Sequence, residues 1–251
     1  MVEKLGLFPW SDESLIEQQN DVFINGNKDL LEHMKVIVAG LGFLQVVLYK
    51  QPHETPEEVT ALRLGVRLLN SGSAALKLAR AGFYHPALTM VRDLMEVEFL
   101  IDLFSQDRAL LTKWLSLSAK ERERQFSPVK VRVALDERDG WTEKKREKAY
   151  KLLCAYAAHV TPEGFVVISP NDLTIIGPHP SPRAVKVVIE ELIKVLPSAC
   201  GHFGALINPE VPKIVTAHSN FLRVLGEWLP KYVSSSNSET TQSGPLGRVS
   251  A

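Results

Sequence analysis

An arginine and a glutamate, Arg92 and Glu96, stand four residues apart within a stretch that is otherwise almost entirely apolar. Side chains four apart lie on one face of a helix, so the two can form an ion pair. Burying such a pair is costly unless its remaining hydrogen bonds are made, and a pair placed there requires an explanation. One explanation is structural: a satisfied network with Tyr150 or Tyr156 that fixes how the helices pack.

A binding or catalytic pocket is the other explanation. In that case Arg92 would bind a phosphate or other anion, Glu96 would orient it, and His159 would transfer a proton. His159 follows an apolar stripe of helical spacing that begins at Ala149, which predicts that its side chain lies near the inward face. The sequence leaves both explanations open.

Helices must position these residues. Thr55 and Pro56 are typical of a helix start, and acidic residues follow them in the first turn. This helix is predicted to run to about Arg80 and to stop at Gly82, where glycine permits a left-handed backbone. Pro86 then opens a helix that is apolar almost all round, which is typical of a helix buried in a bundle. This second helix carries Arg92 and Glu96.

Further helices are predicted over about 28–50, 142–159, 183–196 and 209–232, where apolar residues recur at intervals of three and four. Pro197 is expected to interrupt the chain between the last two, because proline cannot donate to the helical ladder. Long helices joined by short turns predict an all-α helical bundle.

One short β-hairpin is predicted near residues 165–176, where two β-branched runs flank residues typical of a turn. The chain is therefore expected to comprise a lead-in segment (1–27), one helical-bundle domain (28–233) and a polar, disordered tail (234–251).

The composition excludes several function classes. The formal net charge is zero, so no global field draws the chain to nucleic acid or anionic lipid. The first residues lack the apolar core of a signal peptide, and the chain has two cysteines, so we expect reduced thiols and a cytoplasmic location. Residues 36–49 are apolar except for Gln45, but this run is shorter than the roughly 17–25 residues of a membrane span. It predicts a buried helix or a subunit interface, and no membrane association.

Residues 120–151 carry a local excess of basic over acidic side chains. Such a mixed run is typical of a solvated helix surface. The alternative is a face that binds RNA, and its basic side chains would then include Lys144, Lys145, Arg146 and Lys148.

Familiar cofactor and metal motifs are absent. The sequence has no phosphate loop, no dinucleotide-binding glycine fingerprint and no nucleophile elbow. Its seven histidines are scattered, and Cys200 with His202 supplies too few ligands for zinc. We predict neither a cofactor nor a metal.

Two short patterns resemble a known family. The first comprises Gly82, Phe83 or Tyr84, a run of small apolar residues, and then Arg92 and Glu96. The second lies about sixty residues later and comprises Tyr150, Leu153, Cys154 and His159. Together, over roughly residues 60–205, they resemble largely uncharacterised bacterial helical proteins related to the HEPN (higher eukaryotes and prokaryotes nucleotide-binding) superfamily. A serine would be expected where Cys154 stands, which bears on any role that needs a hydroxyl.

The resemblance implies a HEPN-like bundle that pairs into homodimers and, in many members, a metal-independent ribonuclease of a toxin or defence system. In those nucleases a histidine follows an arginine by four to six residues; the histidine moves a proton while the arginine neutralises charge on the phosphate. Arg80 and His85 have this spacing, although chance explains one such match and the pair lies in a turn before the buried helix. His159 has no arginine at that distance.

Two hypotheses follow from the sequence. In the first, a HEPN-like protein binds RNA or a nucleotide, or cleaves RNA, with catalytic candidates His159, Arg92 and Glu96 or the alternative pair Arg80 and His85. In the second, a non-catalytic helical module dimerises through an apolar face and binds a protein partner such as an antitoxin.

Overall fold

The computed structural model describes residues 13–165, 169, 174–207 and 209–233. Within this part of the chain the regular structure is helical, which confirms the prediction of an all-α bundle. The helices are α1 (Glu13–Gly26), α2 (Lys28–Lys50), α3 (Pro56–Arg80), α4 (Tyr84–Gln106), α5 (Arg108–Ser116), α6 (Ala119–Phe126), α7 (Pro128–Arg138), α8 (Lys145–Leu153), α9 (Pro162–Phe165), α10 (Pro182–Ile207) and α11 (Pro212–Tyr232), and a π-helical turn (Cys154–Ala158) follows α8.

Helix α4 lies at the centre of the bundle. It packs against α3 and α10, while α2 packs against α3, α10 and α11. Leu94, Ile101 and Phe104 on α4 are fully buried, as the apolar pattern predicted. The turn before α4 also has the predicted form, because Gly82 adopts a left-handed backbone with φ of 86°. Polar residues of α4 are thus held by packed neighbours on most sides.

The start of α3 matches its sequence signal. The Thr55 side chain accepts a hydrogen bond from the backbone N–H of Glu58, and the Glu58 carboxylate accepts one from the N–H of Thr55. This reciprocal capping satisfies two N–H groups that a helix start leaves unpaired.

The predicted break at Pro197 is wrong. Helix α10 continues from Pro182 to Ile207 with Pro197 inside it. A proline inside a helix costs about 3 kcal/mol, but Leu196, Ala199 and Cys200 beside it are buried in the core, and this packing keeps the helix continuous.

The predicted helix over 142–159 is also wrong at both ends. Gly140 and Lys144 adopt left-handed backbones, so α8 begins only at Lys145. At the other end α8 gives way to the π-helical turn. The N–H of His159 donates to the carbonyl of Cys154, five residues earlier, over 2.9 Å. The wider turn changes which residues face inwards.

The predicted β-hairpin near residues 165–176 is not found in the described part of that segment. Phe165 ends α9, and Thr174, Ile175 and Ile176 lie outside any strand and are exposed, Ile176 by 88%. Residues 166–168 and 170–173 lie outside the described residues. An isolated pair of strands is marginal in water, and in the described part of the segment Ile175 and Ile176 bury too little surface to stabilise one.

The segment before residue 28 is helical over its described part. Helix α1 packs against α2, α3 and α10, and the side-chain amide of Asn20 donates to the carbonyl of Arg80 over 2.9 Å and to the Tyr84 hydroxyl over 3.1 Å. Residues 1–12, and the predicted disordered tail 234–251, lie outside the described residues.

Among the described residues, α2 is the one helix whose length and hydropathy would allow it to cross a membrane. Its most apolar window is 44% buried within the bundle, and Val36, Ile37, Phe43 and Leu44 belong to the core. Core helices of this kind pass the same test of length and hydropathy. The interpretation of this run as a buried helix therefore agrees with its packing.

Gly65 offers a test of the close packing between α3 and α10. A Cβ atom added there would lie 2.3 Å from the Phe203 ring, which is itself fully buried. Overpacking of this kind costs about 1–3 kcal/mol, and alanine recovers part of it by favouring the helix. We expect Gly65→Ala to lower the free energy of unfolding by about 1 kcal/mol in urea denaturation.

The matched control is Gly226→Ala in α11, where an added Cβ meets no atom within 4 Å. This change should raise stability through helix propensity alone. A Gly65→Ala protein as stable as the Gly226→Ala protein would contradict the packing.

Candidate functional site

Arg92 and Glu96 form an ion pair on α4, with 2.7 Å between Arg92 Nη2 and Glu96 Oε1. The Tyr150 hydroxyl from α8 donates to the same Glu96 oxygen over 2.5 Å, and Arg92 Nη2 donates to the Tyr150 oxygen. Arg92 Nε donates to the Cys154 sulfur over 3.3 Å. We call these four residues the Arg92 network.

The electrostatics of the Arg92 network fix its protonation states. Burial opposes the charge of Arg92, but the contacts with Cys154, Tyr150 and Glu96 outweigh it and hold the pKa of Arg92 above its ordinary value. Burial and the neighbouring Glu96 carboxylate raise the pKa of Tyr150 to about 12. At neutral pH Arg92 is therefore charged and Tyr150 is a neutral phenol, and each has partners inside the protein. This arrangement supports the structural explanation of the pair.

His159 lies apart from the Arg92 network. Its side chain is exposed, and its backbone leaves the helical region directly after the π-helical turn. The prediction that it faces inwards is wrong, because that turn shifts the angular position of every later residue relative to a regular α-helix. Among the described contacts none joins His159 to Arg92 or Glu96.

Arg80 and His85 also have separate surroundings. The Arg80 guanidinium donates to both carboxylate oxygens of Asp21 over 2.7 and 2.6 Å. His85 is half-buried in the first turn of α4. Within the described part of the chain no hydrogen bond joins Arg80 to His85. Because Asp21 already occupies the Arg80 guanidinium, a phosphate bound there would have to displace it.

Arg146 is buried rather than part of a basic surface. Its side chain is 10% exposed and bonds to the Asp136 carboxylate over 2.9 Å and to that of Asp139. Beside it Arg138 donates to both oxygens of Asp102 over 2.7 and 3.1 Å. We call these five residues the Arg146 cluster. Lys144, Lys145 and Lys148, the other predicted RNA-binding residues, are exposed.

A group at the edge of this cluster was not predicted from the sequence. Glu98 and Asp102 on α4 are buried, and His202 on α10 places its Nδ1 atom 3.0 Å from Glu98 Oε1 and its Nε2 atom 3.7 Å from Asp102 Oδ1. Burial raises the pKa of the Glu98 carboxyl above its ordinary value. Burial alone would lower the pKa of His202, but the Glu98 and Asp102 carboxylates outweigh burial and raise this pKa above its ordinary value.

A local signal for part of this group exists in the sequence. Glu98 and Asp102 are four residues apart on the same apolar helix as Arg92 and Glu96, so the same spacing argument applies to them. His202 lies 104 residues beyond Glu98, and no local pattern connects the two.

Glu98, Asp102 and His202 are also the residues best placed to hold a metal ion in the described structure, because their ligand atoms all lie within 4.8 Å of one another. However, the Arg138 guanidinium occupies both oxygens of Asp102. A cation would have to displace it and would also face the positive charge of Arg146 nearby. The group is better explained as a buried ion-paired triad.

No family model matches the chain, nor does any curated protein or solved structure. The function is therefore argued from the geometry of the described residues.

A groove between α7 and α8 offers a further site, of about 690 Å³. We call it the α7–α8 groove. Its walls include Val133 and Trp141 together with the basic side chains of Arg132, Lys144 and Lys151. Glu147 also lines it and is bonded to Lys151 over 2.5 Å. This volume is in the range of pockets that bind small molecules.

Arg132 is the most unusual side chain of the α7–α8 groove. The residue is only 6% exposed, and its guanidinium lies over the Tyr150 ring at 3.9 Å from the ring centre. Its Nη1 atom is buried and has no hydrogen-bond partner. Buried polar atoms without a partner are rare in proteins, and each requires an explanation such as a bound ion or ligand.

Lys144 places a helix start at the same groove. It has φ of 51°, the one positive φ of a non-glycine residue in the described chain, and it precedes α8 without a side-chain cap. The first N–H groups of a helix lack partners within it and attract anions. An unusual backbone, an uncapped helix and an unpartnered guanidinium nitrogen therefore meet at one groove.

The ion pair between His202 and Glu98 predicts that the free energy of unfolding depends on pH. Because its pKa is raised in the folded protein, protonation of His202 stabilises the fold below its ordinary value of 6.5, and this contribution is lost as the pH rises through the raised value. We expect the stability difference between wild type and His202→Gln to be larger at about pH 6 than at about pH 9 in urea denaturation.

Three other histidines do not obscure this result. Burial lowers the pKa of His33, His179 and His218, so their effect on stability has the opposite sign. These three histidines are present in both proteins, so their contributions cancel in the difference between the two free energies of unfolding. A difference that stayed constant with pH would contradict the charged pair.

Proposed function

We propose that the protein binds a phosphate-bearing ligand, RNA or a nucleotide, in the α7–α8 groove. The observation that carries this proposal is the Arg132 guanidinium, which is buried against Tyr150 and has a nitrogen without an acceptor. Arginine is suited to phosphate because its planar fork donates two parallel hydrogen bonds to neighbouring oxygens. On binding, the Arg132 side chain turns its free nitrogen towards the anion.

The other walls of the groove support the same ligand. The uncapped N-terminus of α8 supplies N–H groups. The three basic side chains of the lining are matched by three carboxylates, those of Asp136, Glu137 and Glu147, and Glu147 lies 3.8 Å from Lys144 and 2.5 Å from Lys151. The anion is therefore bound by the Arg132 guanidinium and the helix N–H groups rather than by an excess of positive charge. Trp141, which is 43% exposed, offers an aromatic face on which a base can stack. Arg146 and Lys145 lie over the same ring, 4.3 and 5.8 Å from its centre, but Arg146 is paired with Asp136 and Asp139, and Lys145 with Glu143, so they add little net charge.

Cleavage of RNA is a separate hypothesis, as is kinship with the HEPN superfamily and a role in toxin or defence systems. Metal-independent cleavage needs a histidine beside the bound phosphate. His159 is the candidate nearest in sequence, five residues beyond Cys154 of the Arg92 network, and His85 belongs to the alternative pair. The described geometry supports binding further than it supports cleavage.

Fluorescence anisotropy with a labelled single-stranded RNA tests the proposal. Arg132→Gln removes the charge and leaves a shorter, polar side chain, and it should weaken binding by about tenfold or more, as expected for the loss of a charge-assisted hydrogen bond. The control Arg124→Gln makes the same charge change at an exposed arginine outside the groove and should have little effect. Unlabelled ATP as a competitor separates a nucleotide site from an RNA site.

Two outcomes would contradict binding in the groove. One is an absence of RNA and ATP binding by the folded wild-type protein at low salt. The other is an equal loss in Arg132→Gln and Arg124→Gln, which would indicate diffuse attraction to the whole surface. Incubation of the same RNA in chelator with wild type, His159→Ala and His85→Ala tests cleavage independently of binding.

A second candidate function is a homodimerising or protein-binding module, and α11 carries the observation that favours it. Val215, Leu222 and Leu229 are exposed and recur at intervals of seven, which places them on one stripe of the helix. Apolar residues with this interval form the contact seam of paired helices. Light scattering should show a dimer that Leu222→Glu converts to a monomer, whereas Asn220→Glu, at an exposed residue on another face of α11, should leave it intact. A monomeric wild type would contradict the dimer.

A further inference from the structure

A second groove lies between α10 and the C-terminal half of α11. We call it the α10–α11 groove. Its volume is about 780 Å³, within the range of small-molecule pockets. Ile193 and Pro197 of α10 and Leu225 and Leu229 of α11 line it with apolar surface.

One wall of the α10–α11 groove is aromatic. The rings of Trp228 and Tyr232 stack with centres 5.3 Å apart, and His33 of α2 meets both rings edge-on. The indole N–H of Trp228 donates to His33 Nδ1 over 2.9 Å. Because the polar edge of the indole is satisfied within the wall, the wall offers a ligand mainly aromatic carbon.

The opposite wall contains a glycine that packing does not explain. Gly65, Gly72 and Gly204 each lie so close to a neighbouring side chain that an added Cβ would approach it to 3.0 Å or less. A Cβ added at Gly201, which lines the groove, meets no atom within 4 Å. Gly42 and Gly226 also lie beside open space, so Gly201 does not by itself mark a site; what it contributes is room in the groove for a ligand.

Pro197 adds a hydrogen-bond acceptor to this wall. Proline has no N–H, so the carbonyl of Ile193, four residues earlier, lacks the donor that the helical ladder would supply. Both residues line the groove. A ligand with one N–H or O–H group can therefore be bound by that carbonyl.

The charged groups around the groove have partners in the protein. Lys194 bonds to Glu191 over 2.5 Å, and His202 bonds to Glu98 over 3.0 Å. Glu190 lies 3.7 Å from Lys186. Burial lowers the pKa of His33, which favours its neutral form. No excess charge of either sign is left for a charged ligand.

From these features we infer that the α10–α11 groove binds an uncharged aromatic small molecule that carries one hydrogen-bond donor. The rings of Trp228 and Tyr232 contact its aromatic body, the space beside Gly201 accommodates its width, and the carbonyl of Ile193 accepts its donor. This site is independent of the phosphate site proposed at α7 and α8.

N-phenyl-1-naphthylamine is a suitable probe, because it is neutral and aromatic, has one N–H group and fluoresces strongly in apolar surroundings. Titration into the full chain should give a saturable, single-site increase in fluorescence. Gly201→Leu fills the groove and should weaken binding by about tenfold or more. The matched control is Gly226→Leu, where an added Cβ also meets open space but the residue does not line the groove.

Ser198→Leu provides a second test, because this exposed residue also lines the groove and its replacement does not disturb the core. If circular dichroism shows that Gly201→Leu does not fold, the affinity of Ser198→Leu for the probe tests the groove in its place. The inference is overturned if wild type shows no saturable increase, if Gly201→Leu or Ser198→Leu binds as tightly as Gly226→Leu, or if an anionic naphthalene sulfonate binds the groove more tightly than the neutral probe.

Discussion

Replacing Asp102 by alanine is expected to lower the free energy of unfolding by about 3–5 kcal/mol, the typical cost of removing one partner from a buried ion pair. The Asp102 side chain is almost fully buried and accepts two hydrogen bonds from Arg138. Without it, Arg138 loses both of these bonds, and Arg146 and His202 lose a nearby negative charge. Urea denaturation followed by circular dichroism measures the change.

Glu227→Ala is the control for this change. Glu227 and Arg223 form an exposed ion pair on α11, whose removal should have little effect because water and salt screen it. A double variant, Asp102→Leu with Arg138→Met, should recover part of the loss, since apolar residues of similar size can replace a buried pair. A loss for Asp102→Ala no greater than that for Glu227→Ala would contradict the proposed role of the cluster.

The polar residues of α4 connect this helix to α7 and α8. The Arg92 network joins α4 to α8 through Tyr150, and Asp102 joins it to Arg138 on α7 and Arg146 on α8. The two short helices therefore attach to the core helix through ionic contacts as well as through Val131, Leu135 and Leu153, which are buried in the core. Since the α7–α8 groove lies between these helices, its shape depends on buried residues of α4 that do not line it.

Local sequence signals predicted the parts of the fold that local chemistry determines. The capping box at Thr55, the left-handed stop at Gly82 and the apolar pattern of α4 each lie within a few residues and match the structure. Pro197 shows the limit, because its cost is local but the packing that outweighs it comes from other helices. The β-branched run around Ile176 shows the same limit, since the described part of the chain offers no partner strand to bury Ile175 and Ile176.

The candidate site divides in a similar way. The Arg92–Glu96 pair could be predicted, because four-residue spacing on a helix is a local property. The exposure of His159 could not, because it depends on a π-helical turn that no simple pattern marks. His202 and Arg132 were missed because each owes its environment to a residue on another helix. His202 depends on Glu98 of α4, and Arg132 of α7 depends on Tyr150 of α8, eighteen positions further along the chain.

Replacing Arg92 by methionine distinguishes the two explanations of the Arg92–Glu96 pair. If the pair is structural, the free energy of unfolding should fall by about 1–3 kcal/mol, because Glu96 and Cys154 lose a hydrogen-bond donor in a partly buried site. The affinity of the folded variant for RNA should stay close to that of wild type. Denaturation and RNA anisotropy on the same preparation measure both quantities.

Tyr150→Phe is the matched variant, because it keeps the ring that lies beneath Arg132 and removes only the hydroxyl that bonds to Glu96. It should be less destabilising than Arg92→Met, since the ion pair between Arg92 and Glu96 remains. The opposite pattern, in which Arg92→Met leaves stability unchanged but abolishes RNA binding, would show that the phosphate is bound by Arg92. The binding site would then lie at the Arg92 network and not in the α7–α8 groove.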